Sequence, residues 1–215
     1  LEIPAEVVYI HPLHNLAVLK YDPRLIGATP VRSAVLATGE LQPGEAVDVV
    51  GLDGNGELQS RATAIAEVDP LILPLSRSVQ FRDSNIEVAT LVNPPDDVVG
   101  VLADKAGKVR GLWASYASDN GRELVQEGRG IESSLLAESL QVVRSGATLR
   151  SLEAEFVAQS LASARTLGLT DAWMQKIQTA NPAARQVLSI TRVVGGSDAA
   201  RAFQPGDLLL AVDDA

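Results

Sequence analysis

The chain has 215 residues, of which 46% are hydrophobic and 21% are charged, so it can form a packed core and is not a disordered polypeptide. Its 27 acidic and 18 basic residues give a net charge of −9, which argues against a nucleic-acid backbone or an anionic membrane as the main partner. It has no cysteine, which excludes disulfides, thiolate zinc sites and cysteine nucleophiles.

The first two thirds of the chain consist mainly of short apolar or β-branched runs, most of them bounded by Gly or Pro. These runs predict strands at residues 6–10, 16–21, 46–50, 62–68, 86–92, 100–103 and 109–113. Residues 104–108 predict a hairpin loop with Gly107 at positive φ, and residues 132–140 have the apolar spacing of a helix. Many short strands separated by turns indicate a β-barrel or a β-sandwich.

After Gly146 the pattern changes to alternating strands and short helices. The sequence predicts a strand at 155–161, a short helix at 163–167 ended by Gly168, and a strand at 187–193. Thr170 predicts the cap of a second helix that ends at Asn181-Pro182, and Ser197 the cap of a third. A turn at 204–206 leads into a last strand at 207–212. This part predicts a small α+β unit.

Three segments of the chain resemble the bacterial HtrA/Deg-type serine proteases. Residues 195–213, Gly-Gly-Ser-Asp-Ala-Ala-Arg-Ala-Phe-Gln-Pro-Gly-Asp-Leu-Leu-Leu-Ala-Val-Asp, are similar to a helix, turn and buried strand of their PDZ domains. Residues 14–20, His-Asn-Leu-Ala-Val-Leu-Lys, resemble the strand that carries the triad aspartate. Residues 100–112 resemble the strand pair that follows the nucleophile.

The resemblance implies a mainly β protein with trypsin-like Greek-key barrels, the first of them partial, followed by a small PDZ-like α+β domain that is incomplete. It predicts a remnant of the first barrel at residues 1–36, the second barrel at 37–146 and the PDZ-like domain at 147–215. Residues 8–15 and 81–87 look closest to the degenerate second protease-like unit of the large HtrA relatives that have two such units. We therefore expect a fragment of a longer protein.

The resemblance also identifies the positions at which a Ser-His-Asp hydrolase would need its catalytic groups. Asn15 stands at the carboxylate position, and an amide brings no negative charge to stabilise an imidazolium. The nucleophile position falls on Val98, or on Val99 with a slip of one residue, and neither has a hydroxyl. The preceding Pro95-Asp96-Asp97 suits an oxyanion hole poorly, because Pro has no N–H and carboxylates repel an oxyanion. We expect no intact triad.

In the PDZ-like part, the resemblance implies a peptide-binding loop and edge strand that include Leu152, Glu153, Ala154 and Phe156. Glu153 stands where the family often has Gly, and its carboxylate disfavours an incoming C-terminal carboxylate. Leu152 and Phe156 fit a hydrophobic core at least as well as a groove.

The sequence thus favours a regulatory, scaffolding or peptide-binding segment of an HtrA-like serine protease. Its partners would be peptides, unfolded proteins or an active protease unit of the same larger protein, and a homo-oligomer is compatible with these roles. The alternative is an active HtrA-type serine endopeptidase in protein quality control. We expect no cofactor, no metal, no nucleic acid and no membrane span, and the resemblance implies a periplasmic location for a bacterial protein.

Overall fold

A computed structural model describes residues 2–11, 16–71, 86–119, 124–148, 152–182 and 185–212. The described residues form two compact units, the first up to residue 148 and the second from residue 152. Strands dominate, so the mainly β class predicted from the sequence is confirmed. Within these ranges, we find no helix with the length and apolar character needed to cross a bilayer.

Unit 1 begins with an antiparallel hairpin of two strands. They are β1 (Ala5–Ile10) and β2 (Ala17–Tyr21), which agree with the predicted runs. Asp22 then starts a 3-10 helix over Pro23–Ile26, where its carboxylate accepts a hydrogen bond from the Arg24 N–H at 2.9 Å. Asp22 therefore acts as an N-cap.

Six further strands of unit 1 close into a barrel in the order β3-β4-β5-β8-β7-β6. Their bounds are β3 (Ala46–Leu52), β4 (Leu58–Leu71), β5 (Ile86–Leu91), β6 (Val99–Ala103), β7 (Val109–Asp119) and β8 (Leu124–Glu132). The β6–β7 loop is the predicted hairpin, with Gly107 at a φ of 76°. The closed barrel is consistent with the trypsin-like architecture expected above.

The barrel interior is a single apolar cluster. Its members come from the β3–β7 strands and the loops beside them: Leu41, Val47, Val49, Ile65, Ala89, Leu91, Val98, Leu102 and Trp113. Two glycines of β8 make room for it, because a Cβ at Gly128 would lie 2.3 Å from the Trp113 ring and one at Gly130 2.8 Å from Leu102. The helix α1 (Ser133–Ser145) follows. It ends at Gly146, whose backbone has the left-handed conformation of a helix C-cap.

A buried arginine ties the loop before β3 to the barrel. The Arg110 guanidinium forms a two-pronged ion pair with Glu45, at 2.6 Å from Nε to Oε1 and 2.9 Å from Nη2 to Oε2. Its other N–H groups donate to the backbone carbonyls of Thr38, Gly39 and Glu40. This hydrogen bonding compensates the cost of burying the charge.

Unit 2 is a three-stranded antiparallel sheet with helices beside it. Its elements are β9 (Ala154–Ser160), α2 (Leu161–Thr166), α3 (Asp171–Ala180), β10 (Gln186–Val193), α4 (Ala199–Ala202) and β11 (Leu208–Leu209). The predicted caps are confirmed, because Thr170 accepts from the Trp173 N–H and Ser197 from the Ala200 N–H. The strand order is β11-β10-β9, and β11 is shorter than the predicted strand at 207–212.

Candidate functional site

The loop between β5 and β6 occupies the place at which the resemblance expects a nucleophile. Asp97 has a φ of 54°, so the backbone turns through the left-handed region just before Val98. The Val98 side chain is 8% exposed and belongs to the apolar cluster inside the barrel. This position therefore carries a packing residue that points away from solvent.

The neighbouring Val99 has the opposite environment. It is the first residue of β6, it pairs with Leu52 on β3, and it is 55% exposed. Of the two candidate nucleophile positions, one thus lies in the core and the other lies on the outer surface of the barrel. Neither side chain can attack a carbonyl carbon.

A pocket of about 300 Å³ lies next to Val98 at one end of the barrel. Its described lining consists of Val49, Asp53, Gln59, Arg61, Pro95, Asp96 and Val98. No hydroxyl, thiol or imidazole is among these described lining residues, so the pocket lacks the groups that acyl transfer requires.

Asp53 serves the β3–β4 turn. Its Oδ1 accepts hydrogen bonds from the N–H groups of Asn55 and Glu57, both at 2.9 Å, and its Oδ2 accepts from Gln59 Nε2. These bonds, led by the one from Glu57, lower the pKa of Asp53. Residues 53–57 form the tight turn of the β3–β4 hairpin.

Asn15, the predicted carboxylate position, lies outside the described residues, and so does His14. His11 is buried, in edge-to-face contact with the Tyr9 ring at 6.1 Å between centroids. Burial lowers the pKa of His11, an effect that the negative charge of Glu138 partly opposes.

The predicted peptide-binding residues lie at the start of β9, which is an outer strand of the sheet in unit 2. One side of β9 pairs with β10, and within the described residues no strand pairs with its other side. Leu152 is 64% exposed, which excludes it from the core, while Ala154 and Phe156 are half-buried. An open strand edge of this kind can accept an extended peptide by main-chain hydrogen bonds.

Glu153 has a left-handed backbone conformation, of the kind that glycine adopts most easily. Its φ is 54°, and its carbonyl accepts a hydrogen bond from the Val194 N–H at 2.9 Å. The chain therefore keeps the turn geometry with a side chain that is not suited to it, and it places a carboxylate next to the strand edge.

A buried ion pair holds the same edge strand, and sequence reasoning missed it. Glu155 is 2% exposed, and its Oε2 accepts from Arg192 Nε at 3.0 Å while its Oε1 pairs with Nη2 at 2.5 Å. The two residues face each other in the β9–β10 register. Their alternation with apolar neighbours in two predicted strands is the only sequence signal that points to this pair.

The amino-acid sequence and the fold were both compared with those of known proteins. No protein-family profile matches the chain. The chain is 33% identical to a PDZ domain-containing protein of Schizosaccharomyces pombe and 31% identical to Protease Do-like 7 of Arabidopsis thaliana, over 99% of its own length in each case. The match covers 22% of each relative, so the chain spans about a fifth of the length of these curated proteins.

Solved structures show the same fold. An HtrA-type protease, AlgW, in complex with a decapeptide matches 99% of this chain and 59% of its own, with a TM-score of 0.57 at 22% identity. The same protease with a tripeptide also has a TM-score of 0.57, over 98% of this chain and 63% of its own.

Proposed function

We propose that this chain, which is similar to PDZ-containing and HtrA-type serine proteases, is a non-hydrolytic segment with a regulatory, scaffolding or peptide-binding role. The finer assignment is to the degenerate second protease-like unit of a large relative. The proposal concerns this segment, and any proteolytic activity of the longer protein resides in another unit.

The observation that carries the proposal is the packing of Val98. A serine hydrolase needs a hydroxyl beside an imidazole and facing two oxyanion donors. Here the corresponding side chain fills the barrel core between apolar neighbours. An alcohol at this position would lie among core side chains, and the described lining of the adjacent pocket offers no imidazole to activate it.

The open edge of β9 supports a binding role that needs no catalysis. Backbone N–H and C=O groups along this edge can pair with an extended chain, and half-buried Phe156 supplies apolar contact area beside them. The partners that fit are peptides, unfolded segments or an active protease unit of the same protein. Self-association is a further arrangement, since the β1–β2 hairpin exposes Val7, Ile10 and Leu19.

The proposal is tested with fluorescein-labelled, unfolded casein as the probe. We expect fluorescence anisotropy to rise on titration with the chain while gel electrophoresis shows the casein intact after overnight incubation. Phe156→Ser should weaken binding about tenfold, because an apolar anchor at the edge strand is lost. Leu167→Ser, at an exposed leucine beyond α2, is the matched control and should leave binding unchanged.

Casein that is cleaved would favour the active endopeptidase instead. An unchanged anisotropy at every concentration would remove the binding role.

A further inference from the structure

The tip of the β3–β4 hairpin carries an asparagine followed by a glycine, Asn55 and Gly56. Both residues are exposed, and Gly56 has a φ of 79° with no heavy atom beyond its chain neighbours within 4 Å of the place that a Cβ would take. A glycine after an asparagine favours deamidation, because no Cβ hinders the approach of the glycine nitrogen to the asparagine side chain. The tip therefore presents to solvent a pair of residues that is chemically reactive.

Deamidation of such a pair consumes only water. The main-chain nitrogen of Gly56 would lose its proton to solvent and attack Cγ of Asn55, so that an N–Cγ bond forms, the Cγ–Nδ2 bond breaks and ammonia leaves. Water then opens the resulting succinimide at one of its two carbonyls. One opening gives aspartate, and the other gives isoaspartate, in which the main chain runs through Cγ. One water is taken up for each ammonia released, and no oxidant or reductant takes part.

The hydrogen bonds of the turn oppose this reaction while the hairpin is closed. The Gly56 N–H, whose nitrogen would be the nucleophile, donates to the carbonyl oxygen of Asp53 at 2.9 Å. The Asp53 side chain holds the same turn, because its Oδ1 accepts from the N–H groups of Asn55 and Glu57, both at 2.9 Å. A nitrogen that is held as a hydrogen-bond donor does not attack, so the reaction requires local opening of the turn.

The isoaspartyl product does not fit the closed turn. It lengthens the main chain by one methylene between the N–H groups of Asn55 and Glu57, which bind the same carboxylate oxygen. Both products also place a new carboxylate two residues from Asp53 and two from Glu57, where like charges repel. Asp53 and Asp96 line the pocket beside Val98, so the modification makes this end of the barrel more acidic.

We propose that Asn55 is a deamidation site whose reactivity is controlled by Asp53. Opening of the β3–β4 turn releases the Gly56 nitrogen for attack, and the isoaspartyl product then prevents the turn from closing with its original hydrogen bonds. The site lies on the barrel of unit 1 and involves none of the residues at the β9 edge. The extent of the modification therefore reports how often this hairpin opens.

Peptide mapping by liquid chromatography and mass spectrometry measures the reaction at Asn55 alone. Trypsin releases residues 33–61, in which Asn55 is the one asparagine, and residues 111–122, which contain Asn120 before Gly121. Asn120 lies outside the described residues and serves as the reference in the unfolded chain. The chain is incubated at mildly alkaline pH, folded in buffer and unfolded in guanidinium chloride. We expect similar rates at Asn55 and Asn120 in the unfolded chain, and a rate at Asn55 about tenfold lower in the folded chain.

Three variants test the control by Asp53, and each folded rate is divided by the rate of the same variant in guanidinium chloride. Asp53→Ala removes the carboxylate from the turn and should raise the folded rate about tenfold, because its hydrogen bonds to the main chain are lost. Asp53→Ser keeps an oxygen acceptor and should restore part of the protection. Glu57→Gln, at an exposed acid whose N–H still binds Asp53, is the matched control and should leave the rate unchanged.

Circular dichroism melting shows that the variants compared are folded. Absence of the deamidated 33–61 peptide from the unfolded native chain would show that Asn55 is not a reactive site. Equal rates at Asn55 in the folded and unfolded native chain would contradict protection by the turn. An equal rise in the Asp53→Ala and Glu57→Gln chains would contradict the role of the Asp53 carboxylate.

Discussion

Val98 and Val99 are adjacent in sequence and have opposite environments, which makes them a matched pair for substitution. Val98→Ser removes buried methyl groups from the barrel cluster, so we expect a loss of about 1–3 kcal/mol in the free energy of unfolding. Val99→Ser changes an exposed side chain and should stay within about 0.5 kcal/mol of the native chain. Urea denaturation of both variants measures the difference, and equal midpoints would show that Val98 is not packed as described.

The Arg110–Glu45 pair makes the stability of unit 1 depend on pH. The hydrogen bonds from Arg110 lower the pKa of Glu45 in the folded chain below its unfolded value of about 4.3. The stabilisation from this carboxylate is therefore complete above the unfolded pKa and is lost as the pH falls through the folded pKa. We expect the stability gap between the native chain and Glu45→Gln to be largest near neutral pH and to shrink below about pH 4.

Urea titrations at several pH values measure that gap. Glu57→Gln, at an exposed acid on the β3–β4 turn, is the control and should show little gap at any pH. A gap that stays constant from neutral to acidic pH would contradict the role of the Glu45 charge.

Among the secondary-structure elements, we expect the loop before β9 to determine which peptide C-termini the open edge of the sheet in unit 2 accepts. Glu153→Gly removes both a side chain from a left-handed backbone position and a carboxylate from the entrance of the edge strand. We expect the variant to bind a peptide with a free C-terminus more tightly, relative to the same peptide with an amidated end, than the native chain does. Isothermal titration of the two peptides gives this ratio.

Glu153→Gln separates charge from conformation in that experiment, since it removes the carboxylate and keeps the backbone strain. A ratio that changes in neither variant would show that Glu153 does not face the peptide terminus.

The positions of helices and strands were predictable where apolar runs alternate with turn residues. The prediction failed where packing requires glycine inside a strand. The hairpins, the barrel strands up to β7 and the capped helices of unit 2 follow from such patterns. β8 was missed because Gly128 and Gly130 interrupt its apolar pattern, although the Trp113 ring needs exactly that space beside Gly128. Only the three-dimensional positions of the Trp113 ring and of Leu102 explain those two glycines.

For the whole molecule, the sequence resemblance predicted the kind of relatives and the class of fold. It could not predict that Leu52, Leu58 and Val99 are neighbours, because they meet only through the register of three strands. The Glu155–Arg192 pair depends in the same way on the register of β9 against β10. Properties of single positions were accessible from sequence, whereas surfaces shared between strands required the structure.

The central claim, that this chain has no serine nucleophile of its own, is tested most directly by labelling with a fluorophosphonate. The native chain is incubated with the reagent at neutral pH beside trypsin as a positive control, and intact-protein mass spectrometry counts the adducts. We expect trypsin to gain one phosphonyl group and this chain to gain none. A stoichiometric adduct on one serine, together with casein cleavage that disappears when that serine is replaced by alanine, would contradict it.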